Sequence, residues 1–279
     1  MRVLIPQQIL TGAWQLFWGH KRAWFDLGLV PLIWLLALDL LLLPDASRVL
    51  GVTAQNAQAQ SGEIMGFFGS VLLYMILSLV IWSTFAAAWL RACLNLMPTG
   101  IPGLSWSVTD MRVLGGAIRL ILILFAGFTV VMILFGSGAF SRGLTPSSAM
   151  SFAFLALIAV APVLARLGLI LPAAATGQSA RLVDAWRLSK GNGLRLAFLF
   201  AALVVLSYVA IYLVTATSSA LLGGILGKPL TFGPRLVLHL IVNLMSLGTS
   251  ALVLAALALC YRQLSGPGLQ IVPQQRDSA

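Results

Sequence analysis

The chain has 279 residues, of which 60% are hydrophobic and 9% charged, and it carries a net charge of +10 at pH 7. Soluble domains contain roughly 25% charged residues, so this composition excludes a soluble globular fold and predicts an integral membrane protein. The basic residues flank apolar runs and form no single patch with interleaved aromatics, which favours anionic lipid headgroups over nucleic acid as partners.

Apolar runs recur along the chain, and each has roughly the 20 residues that a helix needs to cross ~30 Å of hydrocarbon. They predict an all-α, polytopic bundle of six transmembrane helices with short interfacial amphipathic helices. The predicted spans are 24–43, 65–90, 114–135, 149–170, 196–222 and 236–261. The first run is too long for the apolar part of a cleavable signal, so we expect it to stay as an anchor.

Orientation follows from the distribution of Lys and Arg. Four basic residues lie on one side of the predicted spans, namely Arg48, Arg142, Lys228 and Arg235. The other 13 lie on the side of both termini: Arg2, Lys21, Arg22, Arg91, Arg112, Arg119, Arg166, Arg181, Arg187, Lys190, Arg195, Arg262 and Arg276. Cytoplasmic loops carry the excess of basic residues, so both termini are predicted to be cytoplasmic.

A short motif occurs twice, each time before a predicted span. Ala13-Trp14-Gln15-Leu16 with Gly19 aligns with Ala185-Trp186-Arg187-Leu188 with Gly191, and Leu104-Ser105-Trp106 is a weaker copy. The pattern predicts one membrane domain of three helical-hairpin units, 8–97, 104–172 and 180–264. General enrichment of Trp and Arg at membrane interfaces is the alternative explanation.

Residues 179–192 read as an interfacial amphipathic helix. Leu182, Ala185, Trp186 and Ser189 share one face, and Arg181, Asp184, Arg187 and Lys190 share the other. Ser179 can cap the start of this helix, and Gly191 can end it. The predicted lipid contacts at the cytoplasmic interface are Trp14, Trp186, Arg181, Arg187 and Lys190.

The run from Ala165 to Ala175, continuing at Ala185 to Gly193, resembles a signature of small bacterial inner-membrane proteins of undefined activity. These proteins are similar to the YciC-like family and to the membrane domain attached to some glycerophosphoryl diester phosphodiesterases. The element Trp89-Leu90-Arg91 also fits. The resemblance implies a six-helix fold in the inner membrane, without the phosphodiesterase chemistry that belongs to a separate soluble barrel.

Residues with catalytic potential are few. The two histidines, His20 and His239, are predicted at opposite faces of the membrane, and Cys93 and Cys260 have no metal-ligand spacing. No phosphate loop, nucleophile elbow or zinc-protease motif occurs. We therefore expect no catalytic residues, cofactor or metal.

Asp39 lies within the first predicted span, about one turn before Pro44. A charge deeper in the bilayer costs ~2.5–3.5 kcal/mol on insertion scales. Either Arg48 or His239 could be its partner. A structural pair and an ionisable transport site are both open readings.

Polar side chains also form matching stripes on the last two spans. Tyr208, Tyr212, Thr215 and Ser219 share one helical face, and His239, Asn243, Ser246 and Ser250 share another. Antiparallel pairing would set Ser219 against His239, Thr215 against Asn243, Tyr212 against Ser246 and Tyr208 against Ser250. Such stripes indicate either interhelical hydrogen bonding or a polar cleft.

These patterns leave several functions open. The first is a non-enzymatic scaffold or subunit with a membrane-protein partner, or a protein of envelope lipid homeostasis. The second is a small transporter or lipid-handling protein that uses the polar cleft, and the third is an intramembrane enzyme.

Overall fold

The computed structural model describes residues 3–42, 61–96, 102, 104–140, 160, 162–178, 181–221 and 232–266. Within these residues the regular structure is entirely helical, as the composition predicts. In chain order the helices are α1 (Pro6–Gly19), α2 (Lys21–Leu42), α3 (Ser61–Cys93), α4 (Val108–Phe140), α5 (Ile170–Ala175), α6 (Leu182–Leu188), α7 (Gly193–Leu221) and α8 (Phe232–Ser265). A helical stretch at 162–167 precedes α5.

Four segments of the described chain are long and apolar enough to cross a membrane: Lys21–Leu42, Gly69–Cys93, Gly193–Ser218 and Leu236–Ser265. They correspond to four of the six predicted spans. The predicted span 114–135 lies inside α4, and α4 is not one of these four segments. Of the predicted span 149–170, residues 149–159 and 161 lie outside the described residues, and 162–170 belong to a shorter apolar helix, Pro162–Ala175.

The packed core lies toward the ends of α3 and α8, where small residues allow close approach of the helices. Ala86 and Ala87 of α3 and Ala255 and Ala256 of α8 are fully buried. Such small residues are typical of helix contacts in membranes, where close backbone approach drives association. Trp89 fills the same core, and its indole N–H donates a hydrogen bond of 2.8 Å to the Ala251 carbonyl.

Hydrogen bonds bring the N-terminal segment and the turns beside this core together at one end, which we call the basal end. The Leu4 amide donates to Asn192 Oδ1 at 2.9 Å, and Arg112 donates to the Gly177 carbonyl at 2.7 Å. Tyr261 near the end of α8 donates to Gln178 Oε1 at 2.8 Å. The basal end therefore unites the segments that the sequence predicts to share one face of the membrane.

The two segments that carry the repeated Trp motif both lie at the basal end. In α1, Ala13 is fully buried and Trp14 is 52% exposed; in α6, Ala185 is buried and Trp186 is 44% exposed. The chain after α6 turns through Gly191, whose φ of +81° falls in the left-handed region that glycine adopts at little cost. The predicted cap Ser179 lies outside the described residues, and the three-unit division stays a prediction.

Helix α7 is the least covered of the four candidate spans, since 11% of its most apolar 18-residue stretch is buried. Among the described helices it packs chiefly on α8 and, less extensively, on α1. Its buried stripe consists of Leu196, Leu199 and Leu203. The other described side chains of α7 are exposed or partly exposed.

Candidate functional site

A buried polar cluster joins α2 to α8. Asp39 is 4% exposed, and its Oδ2 accepts a hydrogen bond of 2.6 Å from the Asn243 amide. His239 Nδ1 lies 3.1 Å from the same oxygen, and the Tyr74 hydroxyl of α3 lies near this carboxylate. His239 is one of the two partners that the sequence offers for Asp39. The other, Arg48, lies outside the described residues.

The predicted pairing of the two polar stripes differs from the observed contacts. Tyr208 and Tyr212 are 72% and 67% exposed, and among the described residues neither is hydrogen-bonded to Asn243, which bonds Asp39 instead. Tyr208 follows the buried Leu203 by five positions, which at 3.6 residues per turn places it about 140° away around the helix. The leucine face of α7 packs against the neighbouring helices. The tyrosines can stay on the outer surface because their rings are apolar and tolerate a position that faces lipid.

The other members of the stripes are divided between surface and interior. Thr215 and Ser250 are partly buried, and Ser246 is exposed, where its carbonyl accepts a bond from Thr249. The side chain of Ser219 lies outside the described residues. Of the stripe residues whose side chains the structure describes, His239 and Asn243 therefore contact another predicted site residue, and that residue is Asp39.

The predicted interfacial residues lie on the outer surface of the basal end. Arg181, Arg187 and Lys190 are exposed around α6, while Ala185 and Ser189 are buried beneath it. This division matches the predicted charged and apolar faces, except that the Trp186 ring is half exposed and packs on a cation. Trp14 stacks edge-on against Trp18, with 5.6 Å between ring centroids.

A second site lies under Trp186, and Trp186 is the one residue of its lining that the sequence predicts to be a site residue. We call it the basal pocket; its cavity volume is about 470 Å³ and its lining consists of Pro162, Val163, Arg166, Trp186, Gly191, Gly193, Leu194 and Arg195. It forms where the 162–167 stretch meets the turn between α6 and α7. The pocket therefore combines apolar walls with two guanidinium groups.

The Arg166 side chain is held in one orientation by three neighbours. Its guanidinium carbon lies 3.7 Å from the centroid of the Trp186 ring, and its Nε donates a 3.2 Å hydrogen bond to Ser189 Oγ. A Cβ atom on Gly193 would lie 3.1 Å from Arg166 Cδ, so glycine leaves the room that this side chain occupies. Arg166 is thus fixed between a ring and a backbone, and its terminal nitrogens are hydrogen-bonded to none of the residues that the structure describes.

The second cation, Arg195, donates to the Leu4 carbonyl at 3.2 Å and is otherwise exposed. In the part of the chain that the structure describes, no acidic side chain forms an ion pair with Arg166 or Arg195. Helix α7 also begins at this pocket, and the N-terminal end of a helix dipole favours anions. The arrangement is suited to a phosphate or carboxylate group.

Arg166, Trp186 and Gly193 lie within the motif that carries the family resemblance, and Arg195 lies two positions after it. In the sequence the two arginines contribute to the orientation, and their spacing does not indicate a pocket. Their meeting depends on the turn between α5 and α6, whose geometry no local pattern specifies.

Comparisons with family models, with curated proteins and with solved structures give no match to this chain. Among the described residues, no three His, Cys, Asp or Glu side chains come together in a way that could hold a metal ion.

Proposed function

We propose that the chain is a non-enzymatic, multi-pass protein of the bacterial inner membrane that handles lipid by binding anionic phospholipid headgroups. In this proposal six helices cross the bilayer, and the basal end faces the cytoplasm. The resemblance to YciC-like proteins and the excess of basic residues on one side support this placement.

The observation that carries the proposal is the basal pocket with two arginines that no acidic side chain of the described residues neutralises. Arginine is suited to phosphate because its planar fork donates two parallel hydrogen bonds. Trp186 is the kind of residue that lies at headgroup depth. A phospholipid phosphate would supply the missing negative charge at the depth where the pocket opens.

The test is lipid retention by the purified protein in mild detergent, offered phosphatidylglycerol and phosphatidylethanolamine in equal amounts and analysed by native mass spectrometry. Wild type should prefer phosphatidylglycerol. The double variant Arg166→Gln/Arg195→Gln should lose most of that preference, because hydrogen bonds to charged groups contribute roughly 1.5–3 kcal/mol each.

The matched control is Arg22→Gln/Arg262→Gln, which removes the same charge from exposed positions outside the pocket. This control should keep most of the preference. Equal losses in the two double variants would show general surface electrostatics in place of a site. No preference in wild type would instead favour a scaffold that acts through a protein partner.

A small transporter is the second candidate, favoured by the buried cluster of Asp39, His239 and Asn243. Ionisable residues inside a membrane span are frequently parts of proton or ion paths. Loss of substrate or proton uptake by reconstituted Asp39→Asn protein, with its fold intact, would support this candidate.

A further inference from the structure

An apolar groove adjoins the basal pocket and extends toward the middle of the bundle. Its cavity volume is about 580 Å³, and it runs between the 162–171 stretch, α4, α7 and α8. Pro162 and Leu194 line both the basal pocket and the groove, so the two cavities lie side by side. Along its length the lining is aliphatic or aromatic, with Leu120, Ala201 and Leu257 on three different helices.

The groove is about one leaflet deep. On α7 its lining extends from Leu194 to Val205. Eleven residues of α helix rise about 16 Å, which is half of the ~30 Å hydrocarbon thickness. A chain that entered at the level of Arg166 would therefore reach the bilayer midplane, as an acyl chain of a lipid in that leaflet does.

Such a groove needs an apolar occupant. Water is excluded from it because a water molecule requires two to four polar partners, which these walls do not offer. An empty groove would also forfeit the dispersion contacts of its walls. A hydrocarbon chain attached to a negatively charged group would fill the groove, and its charge would pair with the two arginines.

We propose that the basal pocket and the groove form one site for a single glycerophospholipid, with its phosphate between Arg166 and Arg195 and one acyl chain in the groove. This inference rests on the proposed function and adds the substrate class to it. The second acyl chain stays outside in the surrounding lipid. Phe198, which lines the groove and is 69% exposed, forms part of the rim between the two chains.

The first test uses the wild-type protein in vesicles that contain phosphatidylglycerol with a photoreactive diazirine at the end of one acyl chain. After illumination, adducts are mapped by peptide mass spectrometry. We expect adducts on residues 201–205 of α7 and 253–257 of α8. Adducts confined to outward-facing residues such as Tyr212 and Leu213 would overturn the proposal, because the chain would then lie on the outer surface.

The second test blocks the groove. Ala201→Phe should lower phosphatidylglycerol retention about tenfold, which is ~1.4 kcal/mol in binding free energy. Ala216→Phe is the matched control, since Ala216 is also an exposed alanine of α7 but lies outside the groove, and it should bind lipid as wild type does.

Three outcomes separate the two proposals. If Ala201→Phe retains lipid like wild type and its adducts stay on the groove residues, the groove is wider than one chain and the single-chain site is wrong. If Ala201→Phe binds normally but Arg166→Gln/Arg195→Gln does not, headgroup binding stands and the acyl-chain site fails. If the arginine variant binds normally, both proposals fail.

Discussion

The buried carboxylate of Asp39 shows how a single charged residue is accommodated inside an apolar helix. Two side chains of α8 meet this carboxylate at the same oxygen: the Asn243 amide donates to Oδ2, and His239 Nδ1 lies 3.1 Å from it. Asp39 therefore connects α2 with α8, and its removal should be costly whatever function the cluster has.

Replacing Asp39 by Ala should leave the Asn243 amide and the His239 ring without their acceptor. Leaving buried polar groups unpaired costs ~1–3 kcal/mol, and each kcal/mol shifts the Tm by about 2–4 °C in a chain of 150–250 residues. We therefore expect the apparent Tm of the detergent-solubilised protein to fall by roughly 2–12 °C. Asp26→Ala is the control, because Asp26 is exposed, and its Tm should change by no more than about 2 °C. An Asp39→Ala protein as stable as wild type would contradict this account.

At single positions, the sequence was informative where chemistry alone limits the choice of partner. Asp39 had two partners to choose from, and one of them lies 3.1 Å away in the structure. Arg166 was different, because its role depends on Trp186 and Gly193, which approach it through a turn about twenty positions further on. Spacing along a helix gives no information on such a contact, so the basal pocket could not be read from the chain.

At the scale of helices, the polar stripe of α7 illustrates the limit of periodicity. Spacing shows that Tyr208 and Tyr212 share a face, but it does not show which neighbour that face meets. The structure buries Leu199 and Leu203 against the core instead, and leaves the tyrosines outside. In lipid, packing and not polarity selects the contact face of a helix, since a tyrosine loses little by facing outward.

Cross-linking distinguishes the observed helix contacts from those expected from the stripes. Cys93 and Cys260 are first replaced by Ala, and cysteine pairs are then introduced. A pair at 39 and 243 should cross-link efficiently with a short bifunctional thiol reagent, because the native side chains at these positions are 2.6 Å apart. A pair at 212 and 246 should cross-link poorly, since both native side chains point outward. The reverse result would restore the polar cleft between α7 and α8.

For the molecule as a whole, composition and hydropathy were sufficient for the helical class and for four candidate membrane-spanning helices. They were insufficient for the packing, which concentrates the core at the basal end and leaves a groove beside α7. Apolar periodicity is weak when a helix has lipid on one side and protein on the other, because both surroundings accept the same side chains.

The orientation of the whole molecule is the remaining prediction, and it follows from the basal end. Lys190 lies on this end, beside the turn that precedes α7, and 13 of the 17 basic residues belong to the same predicted side. Basic residues near span ends remain in the cytoplasm, so the basal pocket should open toward the inner leaflet. In a Cys-free background, a single cysteine at Lys190 should resist a membrane-impermeant maleimide in intact spheroplasts and react in inverted vesicles. A single cysteine at Gln58, in a predicted outer connection, should behave in the opposite way. If Lys190→Cys is labelled from outside, the orientation is inverted, and the lipid proposed for the basal pocket would have to come from the outer leaflet.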